Sequence, residues 1–495
     1  MRILSASAEL APLAQSGGLG DAVSGLAHAL AARGHDVACV MPGYRSSLAA
    51  YATLPGTPPL VDDGDVTVAL PGGDLHCRWL CGLLAPDVTV SFLDAPALYD
   101  RPGLYGHPDD ALRFIALSRA VAYRCDSAHP DVLVTHDWHA ALAICALRTA
   151  LDRGLNRAIG TVQVIHNNAY QGLFPREAMA LTGLATELFH PEGLEAWGRL
   201  CLLKGGIHWA DRIVAVSPTY AEEIQTPEFG AGLEGAYRAR AHRLCGIANG
   251  IDIQRFDPGH DPALPEPFNA SQPAGKRRCR EAMAKELGLL EPGPGRLCVA
   301  IGRFAKQKGW DVLAAALDEL VAQDCSVGLL GDGEAEIAAQ VRDTAARHSG
   351  RVAVRVGYDE ALARRLYGGA DCVLIPSRFE PCGLVQRIAQ RYGAVPVAHR
   401  VGGLADTIED PEFEAVQLPR KPAGSPVRRS TGVLFEPLTA AALVEAVARV
   451  ARLGDSGKLE ALQRRLLRLD VSWAKPAARW EKILEATANE AKGRL

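Results

Sequence analysis

Short apolar runs alternate along this chain with stretches whose apolar positions recur every three to four residues. Residues 2–6 form the first such run and read as a buried strand. A glycine-rich loop follows, Gln15-Ser16-Gly17-Gly18-Leu19-Gly20-Asp21. The next stretch carries Leu19, Val23, Leu26, Ala27 and Leu30 on one helical face and stops at Gly34. The same pattern predicts strands at 36–41, 132–135, 161–165 and 212–216. Between 256 and 276 it breaks, where Pro258, Pro262, Pro265, Pro267 and Pro273 sit among small polar residues. It then restarts, with strands predicted at 297–301, 326–330, 352–356, 372–376 and 395–398. A basic loop is expected at 419–430, carrying Arg420, Lys421, Arg428 and Arg429. The tail from Ser472 reads as a helix that packs back on the first half.

This βαβ rhythm predicts an α/β protein of two Rossmann-like domains with parallel sheets. The expected division is a first domain at 1–256, a Pro-rich hinge at 257–275, a second domain at 276–471 and a C-terminal helix at 472–495. Ligands of open parallel sheets bind beyond the carboxyl ends of the strands. The two sheets are therefore expected to face a common cleft lined by the loops that follow them.

Composition narrows the classes. Of 495 residues, 53 are Lys or Arg and 57 are Asp or Glu, a net charge of −4 that argues against a broad nucleic-acid surface. Twelve cysteines are scattered without a Cys-x-x-Cys pair, which suits reduced thiols in a cytoplasmic protein. The first apolar run is too short for a signal peptide. No apolar stretch approaches the ~20 residues of a membrane span.

The chemistry-bearing residues follow predicted strands. Ser377-Arg378-Phe379-Glu380-Pro381-Cys382-Gly383-Leu384 lies where a strand hands over to a helix, whose N-terminus offers unpaired N–H groups to a phosphate. Glu380 repels a phosphate and suits sugar hydroxyls instead. Arg303 and Lys308 share one loop and suit a diphosphate, the alternative being a solvated basic turn. Gly17-Gly18 permits close backbone approach to a phosphate or sugar, although a simple tight turn would use the same residues. Gly402-Gly403-Leu404-Ala405-Asp406 echoes that loop in the second half. His166, at a strand end, can hydrogen-bond a hydroxyl or serve the fold alone. In His136-Asp137-Trp138-His139, two histidines have no evident third metal ligand, and Trp138 offers an apolar face to a sugar. No pair of carboxylates presents itself as glycosidase acid and nucleophile.

Taken in order, these motifs resemble bacterial glycogen synthases and plant starch synthases. The resemblance also includes Asp100-Arg101-Pro102-Gly103-Leu104-Tyr105-Gly106, Ala169-Tyr170-Gln171-Gly172, Ser217-Pro218-Thr219-Tyr220-Ala221, Thr226-Pro227-Glu228-Phe229-Gly230 and Asn249-Gly250-Ile251-Asp252. It implies a GT-B glucosyltransferase that moves glucose from ADP-glucose to the non-reducing end of an α-1,4-glucan with retention, and that needs no metal or bound cofactor. It implies catalytic roles for His166, Glu380, Arg303 and Lys308. Donor binding would involve Gln15, Gly18, Asp21, Asn249, Cys382, Gly383, Leu384, Gly402 and Gly403. Asp137, Trp138 and Tyr99 would form a weaker acceptor or sugar platform.

The chain departs from the family pattern in places. Gln15 stands where lysine is common, and Val401 where threonine usually precedes Gly402. Arg387 and Ile388 replace a common Leu-Tyr. These changes leave open a UDP-glucose-dependent synthase or a non-catalytic glucan binder. A glucan phosphorylase would need a pyridoxal-phosphate lysine motif, which is not seen.

Overall fold

The computed structural model describes residues 1–149, 158–413 and 429–494. Most of the basic stretch at 419–430, including Arg420, Lys421 and Arg428, lies outside the described residues. The chain forms two compact units, Met1–Asn249 with Trp473–Leu495, and Gly250–Ser472.

In the first unit nine strands form one sheet among the described residues. Their spatial order is Leu244–Gly246, Arg212–Ala215, Gly160–Ile165, Val132–His136, Arg2–Ala6, Asp36–Pro42, Val88–Asp94, Leu75–Ala85 and Val61–Val68. Neighbours are parallel as far as Val88–Asp94. The last two strands run antiparallel. Strands covered on both faces need mostly apolar residues, which is why the parallel ones read as near-continuous apolar runs. Val132–His136 and Gly160–Ile165 are buried along their whole length.

The antiparallel pair was not expected from the pattern. Val61–Val68 is exposed over most of its length and carries Asp62, Asp63 and Asp65. It lacks the alternation that signals a half-buried strand, and its carboxylates suit an edge that must not recruit another chain.

The second unit carries six parallel strands in the order Val352–Val356, Ser326–Gly331, Leu297–Ile301, Cys372–Ile375, Val395–His399 and Val433–Phe435. Helices Trp310–Ala322 and Ala440–Asp455 bury Leu313, Leu317, Val447 and Val450 in its core.

The Pro-rich stretch expected as a hinge is instead folded into the second unit. Phe268 is buried, and its N–H donates to the Pro258 carbonyl at 3.0 Å. Gly275, at the start of helix Ala274–Leu287, abuts the Pro267 carbonyl. The prolines set extended local geometry but also pack, so the division falls earlier, at Asn249/Gly250.

The C-terminal helix Ala474–Lys492 belongs to the first unit. It buries Trp480 and Leu484 and packs on the strand Gly160–Ile165. Glu490 pairs with Arg212 at 2.7 Å and Arg243 at 2.6 Å. Just before the helix, Trp473 lies against Gly25 so closely that a Cβ there would meet the indole at 2.1 Å.

Candidate active site

In the second unit, Leu297–Ile301 and Cys372–Ile375 pair in parallel, so the loops beyond their carboxyl ends are neighbours. The Gln307 amide donates to the Phe379 carbonyl at 3.0 Å, and the Arg378 N–H donates to the Gln307 carbonyl at 2.8 Å. These bonds set Lys308 beside Glu380, with Nζ at 2.9 Å from Oε1 and 2.7 Å from Oε2. The Ser377 hydroxyl donates to Oε2 at 2.9 Å. Glu380 is buried, and Lys308 keeps part of its length in solvent. Both line a small pocket with Gly302, Ser377 and Val385. Among the described residues the exposed Arg303 guanidinium has no ion-pair or hydrogen-bond partner, while its carbonyl accepts from the Trp310 indole at 2.7 Å.

The second glycine loop closes on the same segment. The Gly403 N–H donates to the Glu380 carbonyl at 2.9 Å. A Cβ on Gly403 would lie 2.2 Å from the Cys382 carbonyl oxygen, so only glycine permits this approach. Arg303, Lys308, Glu380, Cys382, Gly383, Leu384, Gly402 and Gly403 thus gather at one edge of one sheet. Gln386 fastens the group, its amide donating to the Cys382 and Gly383 carbonyls at 2.9 and 3.0 Å and to the Thr407 hydroxyl at 3.0 Å.

The departures noted in the sequence have structural counterparts. Val401 is the N-cap of helix Gly402–Thr407 and provides no side-chain cap bond. Thr439 caps its own helix by accepting from the Ala442 N–H. A threonine at position 401 could supply the same kind of bond. Arg387 is half-buried and its Nε has no partner among the described residues, while burial pushes the guanidinium pKa down.

In the first unit, Asp137 follows strand Val132–His136 in left-handed backbone, with φ 51°. Its Oδ1 accepts the N–H groups of His166 at 2.7 Å and Asn167 at 3.2 Å, which joins two strand ends. Burial, helped by the nearby Glu9 charge, pushes the Asp137 pKa up to about 7, and the two N–H bonds oppose this. A hydrogen-bonded chain runs from Ser5 Oγ to His136 Nε2 at 3.0 Å and from His136 Nδ1 to His166 Nε2 at 2.9 Å. Burial lowers the His166 pKa to about 3 and holds His136 well below its ordinary value. A neutral imidazole has one donor and one acceptor nitrogen. Since Nε2 of His166 is engaged with His136, Nδ1 is the nitrogen left for a ligand.

The N-terminal glycine loop is held locally. The Gln15 amide donates to the Gly17 carbonyl at 3.1 Å and to Asp21. Gly18 is exposed at the start of helix Gly18–Ala31. Asn249 is buried at the end of the unit.

None of the three residues expected to form a sugar platform is free to do so. Tyr99 is fully buried, donates its hydroxyl to the Arg113 carbonyl at 2.7 Å and packs edge-on against Tyr44, so it is part of the core. Trp138 is buried between Phe114, His139 and Phe174. Gly172 lies against its ring, where a Cβ would meet the indole at 2.5 Å. Asp137 turns inward to orient the His166 backbone rather than outward to a sugar.

The sequence assigns no individual role to three further residues. Glu9 is buried beyond the first strand, where Ser16 donates to it through N–H at 2.8 Å and hydroxyl at 2.6 Å, and Tyr105 donates at 2.8 Å. The strand-end rule that selected His166 applies equally to Glu9. Ser377 is explained only by its bond to Glu380. Tyr358 stands 81% exposed beyond the end of strand Val352–Val356, as a lone aromatic in a polar turn.

Two units, each built on a parallel sheet with its polar groups beyond the strand ends, define a glycosyltransferase of the GT-B class. A family model described as the starch synthase catalytic domain matches residues 2–239, and one described as glycosyl transferases group 1 matches residues 295–452. The glycogen synthase of Methylocella silvestris is 40% identical over 502 residues, covering 99% of each chain. That of Anaeromyxobacter dehalogenans strain 2CP-C is 40% identical over 499 residues, covering 99% of this chain and 100% of the relative. The catalytic domain of starch synthase IV from Arabidopsis thaliana, solved bound to ADP and acarbose, superposes with a TM-score of 0.86 at 29% identity, covering 98% of this chain and 99% of that one. The chain belongs to the glycogen synthase family.

Proposed function

We propose that this enzyme transfers glucose from ADP-glucose to the non-reducing end of an α-1,4-glucan with retention of configuration. The observation that carries the reading is the Lys308–Glu380–Ser377 cluster beside the exposed Arg303. Arg303 and Lys308 bind the diphosphate, and Glu380 accepts from glucose hydroxyls. The exposed Tyr358 ring stacks on the nucleobase.

In the transfer step the bond from glucose C1 to the diphosphate oxygen breaks, and its electron pair leaves on that oxygen. The acceptor hydroxyl oxygen bonds to C1 and gives up its proton to the departing phosphate. Fixed cations stabilise the charge that grows on the leaving group. His166 stays neutral near pH 7 because its pKa is about 3, so it acts as a hydrogen-bond partner for the sugar and not as a proton store. No resident metal or cofactor enters this scheme, and rates after exhaustive chelation are expected to equal those before it.

No helix among the described residues is long and apolar enough to cross a membrane. All twelve cysteines are free, which supports a reducing, cytoplasmic setting. The function is tested by initial rates with ADP-glucose and UDP-glucose on glycogen and on short maltooligosaccharides. Release of ADP with chain extension is expected. Glycogen binding without nucleotide release from either donor would leave a non-catalytic binder.

A further inference from the structure

Trp197 is the most exposed tryptophan in the described structure, at 58%, and it stands at the tip of the hairpin Glu195–Ala196/Arg199–Cys201. Its backbone is left-handed, φ 52°, a strained conformation that is uncommon for a bulky side chain. The turn is held by the Gly198 N–H, which donates to the Glu195 carboxylate at 2.5 Å. The indole is also braced from outside the hairpin. A Cβ on Gly232 would lie 1.9 Å from the ring, so that position must be glycine for the indole to rest there. Ala231, beside it, is also left-handed, φ 49°. A large ring that is strained, clamped on one side and left wet on the other is arranged for a flat, partly apolar ligand.

The loop that braces Trp197 is tied to the loop that follows His166. The Asn168 amide donates to the Gly230 carbonyl at 2.7 Å, and the Gln171 amide donates to the Ala231 carbonyl at 3.0 Å. The Tyr237 hydroxyl donates to Asn168 Oδ1 at 2.7 Å, and the Asn168 N–H donates to the Tyr220 hydroxyl at 2.8 Å. All four side chains are buried, so the two loops form one rigid block. Tyr170, between Asn168 and Gln171, is 53% exposed on that block. One wet aromatic ring is therefore carried on, and a second braced by, the block that begins two residues after His166.

We propose that Trp197, with Tyr170, is a binding platform for an α-glucan chain, which stacks the C–H faces of its glucose units on the rings. The proposal rests on the glucan-transferase reading. It assigns the contact to units of the chain remote from the reacting end, because Trp197 touches none of the groups assigned to the transfer itself. A rigid aromatic face adds area at little entropic cost, and a polymer presents many equivalent faces.

The test compares Trp197→Ala, Trp197→Phe and the unchanged enzyme by affinity electrophoresis in gels containing glycogen, and by kinetics on glycogen and maltotriose. Trp197→Ala is expected to weaken glycogen retardation and raise KM for glycogen about 10-fold, with kcat and KM for ADP-glucose within twofold. Maltotriose kinetics are expected to stay unchanged, and Trp197→Phe to recover most of the glycogen affinity. Equal retardation and an unchanged KM for glycogen in Trp197→Ala would overturn the platform, while continuing transfer by the same protein keeps the function intact. A parallel loss on maltotriose and ADP-glucose, or a lowered melting temperature in both variants, would make Trp197 a support of the fold. A change in sedimentation without a change in glycogen binding would make it a protein contact. An unchanged enzyme that neither transfers glucose nor is retarded by glycogen would sink both readings together.

Discussion

At the sheet edge of the second unit, Lys308 and Glu380 meet as an ion pair and Arg303 stands open to solvent. At the corresponding edge of the first unit, Asp137 and His136 are buried and His166 is half-buried, and each is driven toward its uncharged form. The two edges share a backbone device, a parallel strand that ends in a polar loop, but they treat charge oppositely. A leaving diphosphate calls for fixed cations, and a cation held in place by a carboxylate needs no reorganisation when charge develops. A sugar hydroxyl calls for oriented donors and acceptors without net charge, which a neutral histidine pair supplies. The second unit's edge is suited to stabilise charge, and the first unit's edge to orient neutral groups.

The largest effect is expected from breaking the charged edge. Lys308→Ala leaves the buried Glu380 without its cation, and Glu380→Ala frees Lys308 from its tether. Each is expected to lower kcat/KM at least ~100-fold. The double variant should lose much less than the product of the two, because the partners act as a unit. Multiplicative losses in the steady-state rates would show that the ion pair is not functional.

The neutral edge is probed through stability. The folded-state pKa of Asp137, about 7, lies above the ~3.9 of an unfolded aspartate. Between those values the unfolded chain has released the proton that the folded chain keeps. The Asp137 contribution to stability therefore falls as pH rises from about 4 to about 7, and the loss is complete above that range. Asp137→Asn can still accept from the His166 and Asn167 N–H groups but has no such penalty. In urea melts it should gain on wild type by ~2 kcal/mol between pH 5 and pH 8. A constant difference across that range would mean that the carboxyl is not held protonated.

A smaller effect separates the two glycine loops. A Cβ on Gly403 collides with the Cys382 backbone, whereas one on Gly17 meets nothing within 4 Å. Gly403→Ala should displace the Cys382 segment and cost about 10-fold in kcat/KM for ADP-glucose, as small misplacements do. Gly17→Ala should stay within twofold. Equal effects would make the likeness of the two loops functional and not only sequential.

The smallest effect tests a missing charge. Gln15→Lys adds a cation to the exposed N-terminal loop, where Gln15 bonds Gly17 and Asp21. A two- to fivefold fall in KM for ADP-glucose is expected, the scale of one exposed ion pair. An unchanged KM would show that glutamine is neutral at this position.

Legibility in the sequence followed burial. The parallel strands are readable because they are largely covered on both faces and are therefore rich in apolar residues. Val61–Val68 was not readable, because an exposed edge strand may be as polar as a loop. Glu380, Lys308 and Arg303 were recognisable as charged residues in loops after strands. Trp138 and Tyr99 were misjudged because an aromatic that lines a core and one that meets a sugar look alike in sequence. Trp197 was passed over for the converse reason, since its exposure depends on Gly232, thirty-five residues on.

The sequence by itself determined the repeated sheets, the loops that carry chemistry and the family, because these rest on local periodicity and on motifs in order. Only the tertiary structure decided which groups meet and in what state. It paired Lys308 with Glu380, linked His136 to His166, raised the Asp137 pKa and folded the Pro-rich stretch into the second unit. Contacts between distant residues and the exclusion of water are set by packing, and packing is not a property of any one segment.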